Sequence, residues 1–473
     1  MRGFLHFIFL GCTVALSPYK YGQDIMNIEA SASLLDQLYG ELVDSKESRE
    51  HKFNCINEGK VSTTKNNAGK SDFVEDVNYN ERFAFGTFQT MNDLIRISET
   101  QQRTSRMNAH EKYLTHRSSI KFPENDDTSD LFTGGIFGGL LTFGGFKTMQ
   151  CFNSNMFDHP IDIAIVGAPF DTGTSYRPGA RFGPEAIRLG ARRLHEGVTP
   201  VRGNGPNSKL RKVNPYDSKS HNFTIIDCGD VPMTPFDNRF ALNQLYRAER
   251  AIHKHSTSGK VDIPLPKIIT IGGDHTITLM ALRLAYEKYG RIAVLHFDSH
   301  IDTWNPKILG GGYSDYMSLN HGTFLHYAAE NGYLEPGKCF HLGLRAPYIL
   351  ATYDQKHDRE CGFNTITARD LDDMGKEKIV TQIKETVGET PVYVSVDIDV
   401  LDPSTAPGTG TMEIGGWTGR ELLTILDALE GLNIIGGDVV EVSPPYDTNS
   451  EVTSLAATAI IDSLLGLLIV QSI

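Results

Sequence analysis

Three potential metal ligands stand two residues apart in V-L-H-F-D-S-H-I-D, Val294 to Asp302: Asp298, His300 and Asp302. They end an apolar run. In an extended strand, residues i, i+2 and i+4 share one face, so this spacing predicts that the three groups converge at the strand's C-terminal end. The device recurs in Y-V-S-V-D-I-D-V-L-D-P, which places Asp397 and Asp399 on one face. A second imidazole, His275, sits in I-G-G-D-H-T just after another apolar run. Two His and four Asp, with no thiolate, form a hard, oxygen-rich set that favours Mn²⁺ over zinc or copper. Two divalent ions would offset four clustered carboxylates that otherwise repel one another. They would also acidify a water between them toward hydroxide near neutral pH. Each piece has a plainer reading: D-x-H-x-D as a capped strand end, D-x-D before D-P as turn chemistry, Gly272-Gly273 as a tight turn. Together, six ligand-type groups at three strand ends are too costly to bury as packing alone. Asp402, ahead of Pro403, reads instead as structural, stabilising its loop by an Asx-type turn.

The elements that must position these groups follow from hydrophobic patterning. Strands are predicted at Ile163–Gly167, Phe223–Asp227, Lys267–Gly272, Arg291–Phe297, Cys339–Gly343, Val392–Val396 and Ile434–Val440. Several are continuous Val/Ile-rich runs, the pattern of strands buried on both faces. Helices are predicted between them at Pro184–Leu194, Asn243–His255, Thr276–Tyr289, Gly375–Val387 and Thr418–Leu429. Such alternation gives an α/β fold, a parallel sheet with helices on both sides. Ligands in such sheets bind at the carboxyl ends of the strands, where the carboxylates lie here. The apolar run Val452–Val470, interrupted by Asp462, reads as a buried packing helix rather than a membrane span.

The remainder of the 473 residues is less informative. A formal net charge of −13 argues against a nucleic-acid binder, and suits a cationic substrate only weakly. Residues 1–17 show one Arg ahead of an apolar run, a signal-peptide pattern too short for an ordinary span. This points to the secretory route or an extracellular location, with a membrane anchor or an intracellular protein as alternatives. Residues 18–130 are polar and irregular, expected to be a partly disordered extension with short helices at Ala30–Leu42 and Met91–Gln101. A Gly-rich stretch near Leu131 opens the domain expected over 131–473. One sequon occurs at Asn222, beside a predicted strand. Six widely spaced cysteines do not read as a disulfide framework, although a single pair could form in an oxidising compartment.

G-G-D-H-T, F-D-S-H-I-D-T and S-V-D-I-D-V-L-D-P-S-T-A-P-G-T-G resemble the three metal signatures of the ureohydrolase family, which includes arginase, agmatinase and guanidinobutyrase. G-A-R-F-G-P-E-A-I-R at Gly179–Arg188, N-H-G-T-F at Asn320–Phe324 and D-V-V-E-V-S-P-P-Y-D at Asp438–Asp447 extend the resemblance. It implies a three-layer α/β/α sandwich and two Mn²⁺ ions. His275, Asp298, Asp302 and Asp399 would surround one ion; Asp298, His300, Asp397 and Asp399 would surround the other. Asp302 would hold the nucleophile, Glu441 would grip a guanidinium, and His321 would carry a proton near the substrate. The family's usual Ala is replaced by Ser299, whose side chain is expected to point away from the metals. T-W-N-P-K-I-L-G-G-G after Asp302 and D-V-P-M-T-P-F-D-N at Asp230–Asn238 resemble the agmatinase branch. The implied reaction is agmatine to urea and putrescine. Guanidinobutyrate, guanidine or another guanidino compound remains as an alternative, with Arg177 as a candidate reader of a substrate carboxylate. A catalytically silent binding protein on the same fold is the alternative from another class. The resemblance also implies a trimer or hexamer.

Overall fold

The computed structural model describes residues 138–310 and 317–471. The expected signal peptide, the polar extension with its two helices, and the proposed boundary at residue 130 lie outside the described residues. Nine strands form one sheet in the order β1-β3-β2-β4-β9-β8-β5-β6-β7. They are β1 (Lys147–Thr148), β2 (Ile163–Ala168), β3 (Ile225–Asp230), β4 (Lys267–Gly272), β5 (Ala293–Phe297), β6 (Cys339–Leu344), β7 (Phe363–Thr367), β8 (Val392–Asp397) and β9 (Ile434–Val440). Every pairing is parallel. The central strands are buried along their whole length, which is why their sequences read as apolar runs rather than alternating ones. The two edge strands β1 and β7 were not expected from the sequence. The first has only two residues, and F-N-T-I-T has three polar residues, Asn364, Thr365 and Thr367, that are half-buried or exposed.

Helices cover both faces. They are α1 (Gly183–Gly190), α2 (Asn238–Ile252), α3 (Thr278–Tyr289), α4 (Phe324–Glu330), α5 (Ala351–Glu360), α6 (Asp370–Met374), α7 (Lys376–Val387), α8 (Gly419–Ala428) and α9 (Val452–Val470). One core lies between the sheet and α1, α7, α8 and α9. The other is built on α2, α3 and α4. Two cores on opposite faces of one sheet give the three-layer α/β/α sandwich. Local signals agree with the elements: Asp237 caps α2 through the Phe240 N–H, and Thr418 and Glu421 form a reciprocal capping box on α8.

Helix α9 is long and apolar enough to cross a membrane, but it is mostly buried and packs against α1, α8 and β9. The charge that interrupts it has partners inside the fold. Asp462 pairs with Arg202 at 3.0 Å and accepts from the Tyr216 hydroxyl at 2.9 Å. It is therefore a core helix with a buried polar anchor, since an unpaired carboxylate there would be costly. Cys151 and Cys228 form a disulfide between the segment preceding β2 and strand β3; Cys339 and Cys361 are free and buried. Asn222 of the sequon is exposed in the loop before β3.

Candidate metal centre and active site

The four adjacent central strands β4, β9, β8 and β5 end at the same edge of the sheet, and the candidate site residues lie at those ends. His275 follows β4, Glu441 follows β9, Asp397 is the last residue of β8, and Asp298 is the first residue after β5. This is the carboxyl end of a parallel sheet, where α/β folds place ligands.

The convergence is not the simple strand alternation expected from the spacing. Strand β5 stops at Phe297, so Asp298, His300 and Asp302 lie on the loop beyond it. Asp302 adopts a left-handed backbone with φ 51°, as does Glu441 with φ 61°. Non-glycine residues adopt this conformation at a cost, typically of about 1–3 kcal/mol, where the surrounding structure enforces it. Asp399 likewise lies past its strand, in a single 3₁₀ turn. Gly273 permits the approach of the His275 loop: a Cβ there would stand 1.8 Å from the Phe170 carbonyl oxygen.

All six expected ligands come together. His275 Nδ1 lies 3.1 Å from Asp298 Oδ2, 3.2 Å from Asp302 Oδ2 and 3.4 Å from Asp397 Oδ2. His300 Nδ1 lies 3.2 Å from Asp298 Oδ1 and 3.2 Å from Asp399 Oδ2. Asp298 thus belongs to two neighbouring groups of donors, His275/His296/Asp298/Asp302 and Asp298/His300/Asp399, each compact enough to hold one ion.

Proton bookkeeping shows that this cluster fits cations. The Ser395 hydroxyl donates to Asp438 Oδ1 at 2.6 Å, so its oxygen accepts from His275 Nε2–H at 2.8 Å. Asp438 is itself steadied by Thr278 and Tyr393 hydroxyls. His275 Nδ1 is left facing three carboxylate oxygens, a position that must hold a proton or a metal ion. Burial would lower the His275 pKa, but the Asp298, Asp302 and Asp397 carboxylates reverse this and hold it well above the ordinary value. Burial, with Asp399 and Asp298, pushes Asp397 well above the carboxylate range. Burial and Asp298 push Asp302 up to about 6. His275 Nδ1, His296 Nε2 and Asp298 Oδ2 are buried without a hydrogen-bond partner. Bound divalent ions would satisfy His275 Nδ1 and Asp298 Oδ2 and relieve the repulsion among the carboxylates.

His296 is not among the donors expected from the sequence. It sits on β5 two residues before Asp298, on the face that the alternation rule would have indicated. Its Nε2 lies 3.0 Å from Asp298 Oδ2. Its Nδ1 contacts His341 Nδ1 at 2.8 Å, and His341 Nε2 reaches Asp358 Oδ1 at 2.8 Å. Burial lowers His296 to about 3, which keeps the imidazole neutral.

Ser299 corrects the expectation that its side chain points away from the ligands. Its hydroxyl donates to Asp399 Oδ1 at 2.7 Å and its backbone N–H to the same oxygen at 3.1 Å. Alternation fails here because the residue is no longer in the strand. Arg345 was also not foreseen. Its guanidinium donates to the carbonyls of Asp399 and Leu401 at 2.6 and 3.1 Å and of Glu413 at 2.9 Å, and so clamps the D-I-D-V-L loop. Asp402 behaves as read: one oxygen accepts from the Ser404 N–H and hydroxyl, the other from Gly415 and Gly416 N–H.

His321 lies beside this cluster. Its Nδ1 is 3.0 Å from Glu441 Oε1, and its Nε2 receives the Ser175 backbone N–H at 3.0 Å. A backbone N–H only donates, so Nε2 carries the lone pair and Nδ1–H donates to Glu441. Burial would lower the His321 pKa, but Glu441 outweighs it and pushes the imidazole up to about 9. With Nδ1–H on Glu441, Nε2 is the atom at which the ring gains or loses its second proton, and it also lies 2.8 Å from the Ser175 hydroxyl. Glu441 also accepts the His275 backbone N–H at 2.9 Å, which ties the His275 and His321 loops together.

A cavity of about 190 Å³ opens onto the cluster. Its lining includes His300, Asp302, Trp304, His321, Asp397 and Glu413. Among its described lining residues there is no Lys or Arg. Arg177 is not part of the lining; its guanidinium lies over the rings of Tyr176 and Tyr446, at 5.0 and 5.6 Å. Glu441 is buried behind the lining, whereas Glu413 faces the cavity with its Oε1 4.0 Å from His300 Nε2.

A sequence model of the arginase family matches residues 161–466. The chain belongs to this family. It is 42% identical over 357 residues to putative agmatinase 1 of Schizosaccharomyces pombe, an alignment covering 74% of this chain and 86% of that one. It is 38% identical over 304 residues to proclavaminate amidinohydrolase of Streptomyces clavuligerus, covering 63% and 85%. Among solved structures, that of a hypothetical agmatinase from Burkholderia thailandensis superposes with a TM-score of 0.58 at 30% identity, covering 70% and 91%. The arginase-family chain described here is thus a ureohydrolase enzyme of the agmatinase-like kind. Its candidate metal site lies within the matched residues.

Proposed function

We propose that this ureohydrolase cleaves agmatine to urea and putrescine with two Mn²⁺ ions bound. His275, Asp298, Asp302 and Asp397 would hold one ion, and Asp298, His300 and Asp399 the other, with Asp397 on the His275 side and Asp399 on the His300 side, unlike the split the resemblance implied. The donors are carboxylates and imidazoles without a thiolate, the hard set that suits manganese. When bound, the ions supply Lewis acidity that makes a water nucleophilic near neutral pH.

The rest of the chemistry belongs to side chains of the chain. Carboxylates accept the forked N–H groups of a guanidinium; Glu441, whose Oε1 accepts from His321 Nδ1 and the His275 N–H, is assigned to the reacting end through Oε2. Asp302 orients the attacking water toward the guanidino carbon. The leaving group is a strongly basic amine, so it must be protonated as the C–N bond breaks. Asp302 delivers this proton directly, or His321 relays it through Nε2. Trp304, Ala346, Pro347 and Ile349 line the apolar part of the cavity and suit a tetramethylene chain.

The observation that favours agmatine over guanidinobutyrate is the charge of the lining. It presents Glu413 and, among its described residues, no Lys or Arg, a setting for a terminal ammonium rather than a carboxylate. The test is kcat/KM across agmatine, guanidinobutyrate, arginine and guanidine for the wild type and Glu413→Gln. Agmatine is expected to be preferred, and the substitution is expected to raise KM for agmatine while leaving guanidine turnover in place. Preference for guanidinobutyrate in the wild type would overturn the assignment.

We also propose a secretory location. It is supported by the apolar residues 4–16 and by the Cys151–Cys228 pair, which an oxidising compartment would maintain. Sequencing the N-terminus of the mature protein and locating it by cell fractionation test this. An intact N-terminus in a cytosolic fraction would contradict it.

A further inference from the structure

A second group of ligand-type side chains lies away from the sheet edge, between helices α4 and α5. His326 Nδ1 on α4 stands 3.0 Å from His357 Nε2 on α5. Cys361, immediately after α5 and one helical turn beyond His357, puts its Sγ 3.7 Å from the same Nε2. The donor atoms of the three residues all lie within 4.8 Å of one another. A tetrahedral ion with metal–nitrogen bonds of about 2.05 Å and a metal–sulfur bond of about 2.3 Å needs edges of about 3.3 Å between nitrogens and 3.6 Å between nitrogen and sulfur. The two measured edges are within a few tenths of an ångström of those values.

The surroundings prepare the donors for a metal. Glu330, one turn after His326, lies 3.5 Å from His326 Nε2. It thereby favours the tautomer that keeps a lone pair on Nδ1, the carboxylate–histidine arrangement that commonly backs a metal ligand. Tyr353 stacks on His357 at 5.6 Å, fixing the plane of that ring.

We propose that His326, His357 and Cys361 form a mononuclear site for zinc, separate from the binuclear centre. The two sites differ in ligand softness. The sheet-edge cluster offers carboxylates and imidazoles only, whereas this one offers two imidazoles and a thiolate, the set that selects zinc over manganese. Binding exchanges the Cys361 S–H proton for the metal and releases it to solvent. His357, whose Nε2–H now faces His326, carries its proton on Nδ1 in the bound form. Water completes the coordination. The ion would pin α4 to α5. Helix α4 follows directly from the loop that holds His321, and α5 carries Asp354 and Asp358, which accept from Trp304 Nε1 and the Thr303 hydroxyl. The site is therefore a positioning device and touches no substrate.

Cobalt substitution tests this on the full chain, because a thiolate bound to Co²⁺ gives a near-ultraviolet sulfur-to-metal charge-transfer band and the binuclear cluster contains no sulfur. The wild type, stripped with chelator and titrated with Co²⁺, is expected to show the band, with an intensity corresponding to one thiolate-bound ion among the three that the chain takes up, and to lose it when excess Zn²⁺ is added. Cys361→Ser is expected to abolish it. His326→Gln, which keeps a polar side chain between α4 and α5, is expected to weaken Co²⁺ binding and shift the band. No band in the wild type, or an unchanged band in Cys361→Ser, would overturn the proposal. Urea release plays no part in this readout, so its outcome is independent of the substrate assignment.

Discussion

At the scale of single residues, the metal donors were the most legible part of the chain. Asp298, His300, Asp302, Asp397, Asp399 and His275 are found together because their types and spacing leave few other uses. Legibility ended where the chain leaves the strand. Period-2 alternation holds to Phe297 and fails at Ser299, so the contact between Ser299 and Asp399 could not be read from spacing. Arg345 was hidden for a different reason: its partners are backbone carbonyls, which have no sequence signature. Two residues carry the proposed proton chemistry. Asp302→Asn keeps the shape but loses a charge, and is expected to lower kcat/KM for agmatine by about 10²–10⁴-fold; full activity in steady-state assays would refute its role. His321→Gln is expected to lower kcat about 10²-fold with little change in KM. A rise in KM with kcat intact would instead mean that His321 only shapes the cavity.

At the scale of elements, the sheet and its helices were readable where runs were apolar and long, as in β4 and β9, whose ends match the sequence reading. Helices α4 and α5 were not foreseen. α4 is short, and α5, A-T-Y-D-Q-K-H-D-R-E, has almost no apolar stripe; its inward positions are the polar Asp354 and Asp358. The interface between α2 and β4 carries a testable pH effect. Glu249 is buried there, accepts from the Thr270 hydroxyl at 2.9 Å, and has one oxygen without a partner. Burial pushes it from 4.5 up to about 8. A raised carboxyl pKa contributes stability that is fully present below the unfolded value of 4.5 and is lost as pH rises through 8. Chemical denaturation of wild type and Glu249→Gln should therefore show the wild type losing roughly 1.4 kcal/mol per pH unit relative to the variant across that window. A difference independent of pH would show that Glu249 is ionised in the fold. Helix α9 supplies a packing test: Leu465→Ala is expected to cost about 2–5 kcal/mol by the same measurement, because the side chain is fully buried against the sheet.

At the scale of the whole molecule, one all-parallel sheet gathers loops from four adjacent strands that are far apart in sequence. That topology is what turns separate motifs into one site. The order β4-β9-β8-β5 could not be read from the chain, because hydrophobic runs give strands but not their neighbours. The disulfide was equally illegible: Cys151 and Cys228 are 77 residues apart, and only the fold brings β3 beside the segment leading into β2. The entire assembly has one output, urea from a guanidino substrate with metal bound. The most direct measurement is urea and putrescine release from agmatine by purified full-length protein after chelation and after reloading with Mn²⁺. Chelated protein is expected to be inactive, and Mn²⁺ is expected to restore equimolar urea and putrescine. No urea from fully reloaded protein, or undiminished activity after complete metal removal, would contradict the assignment.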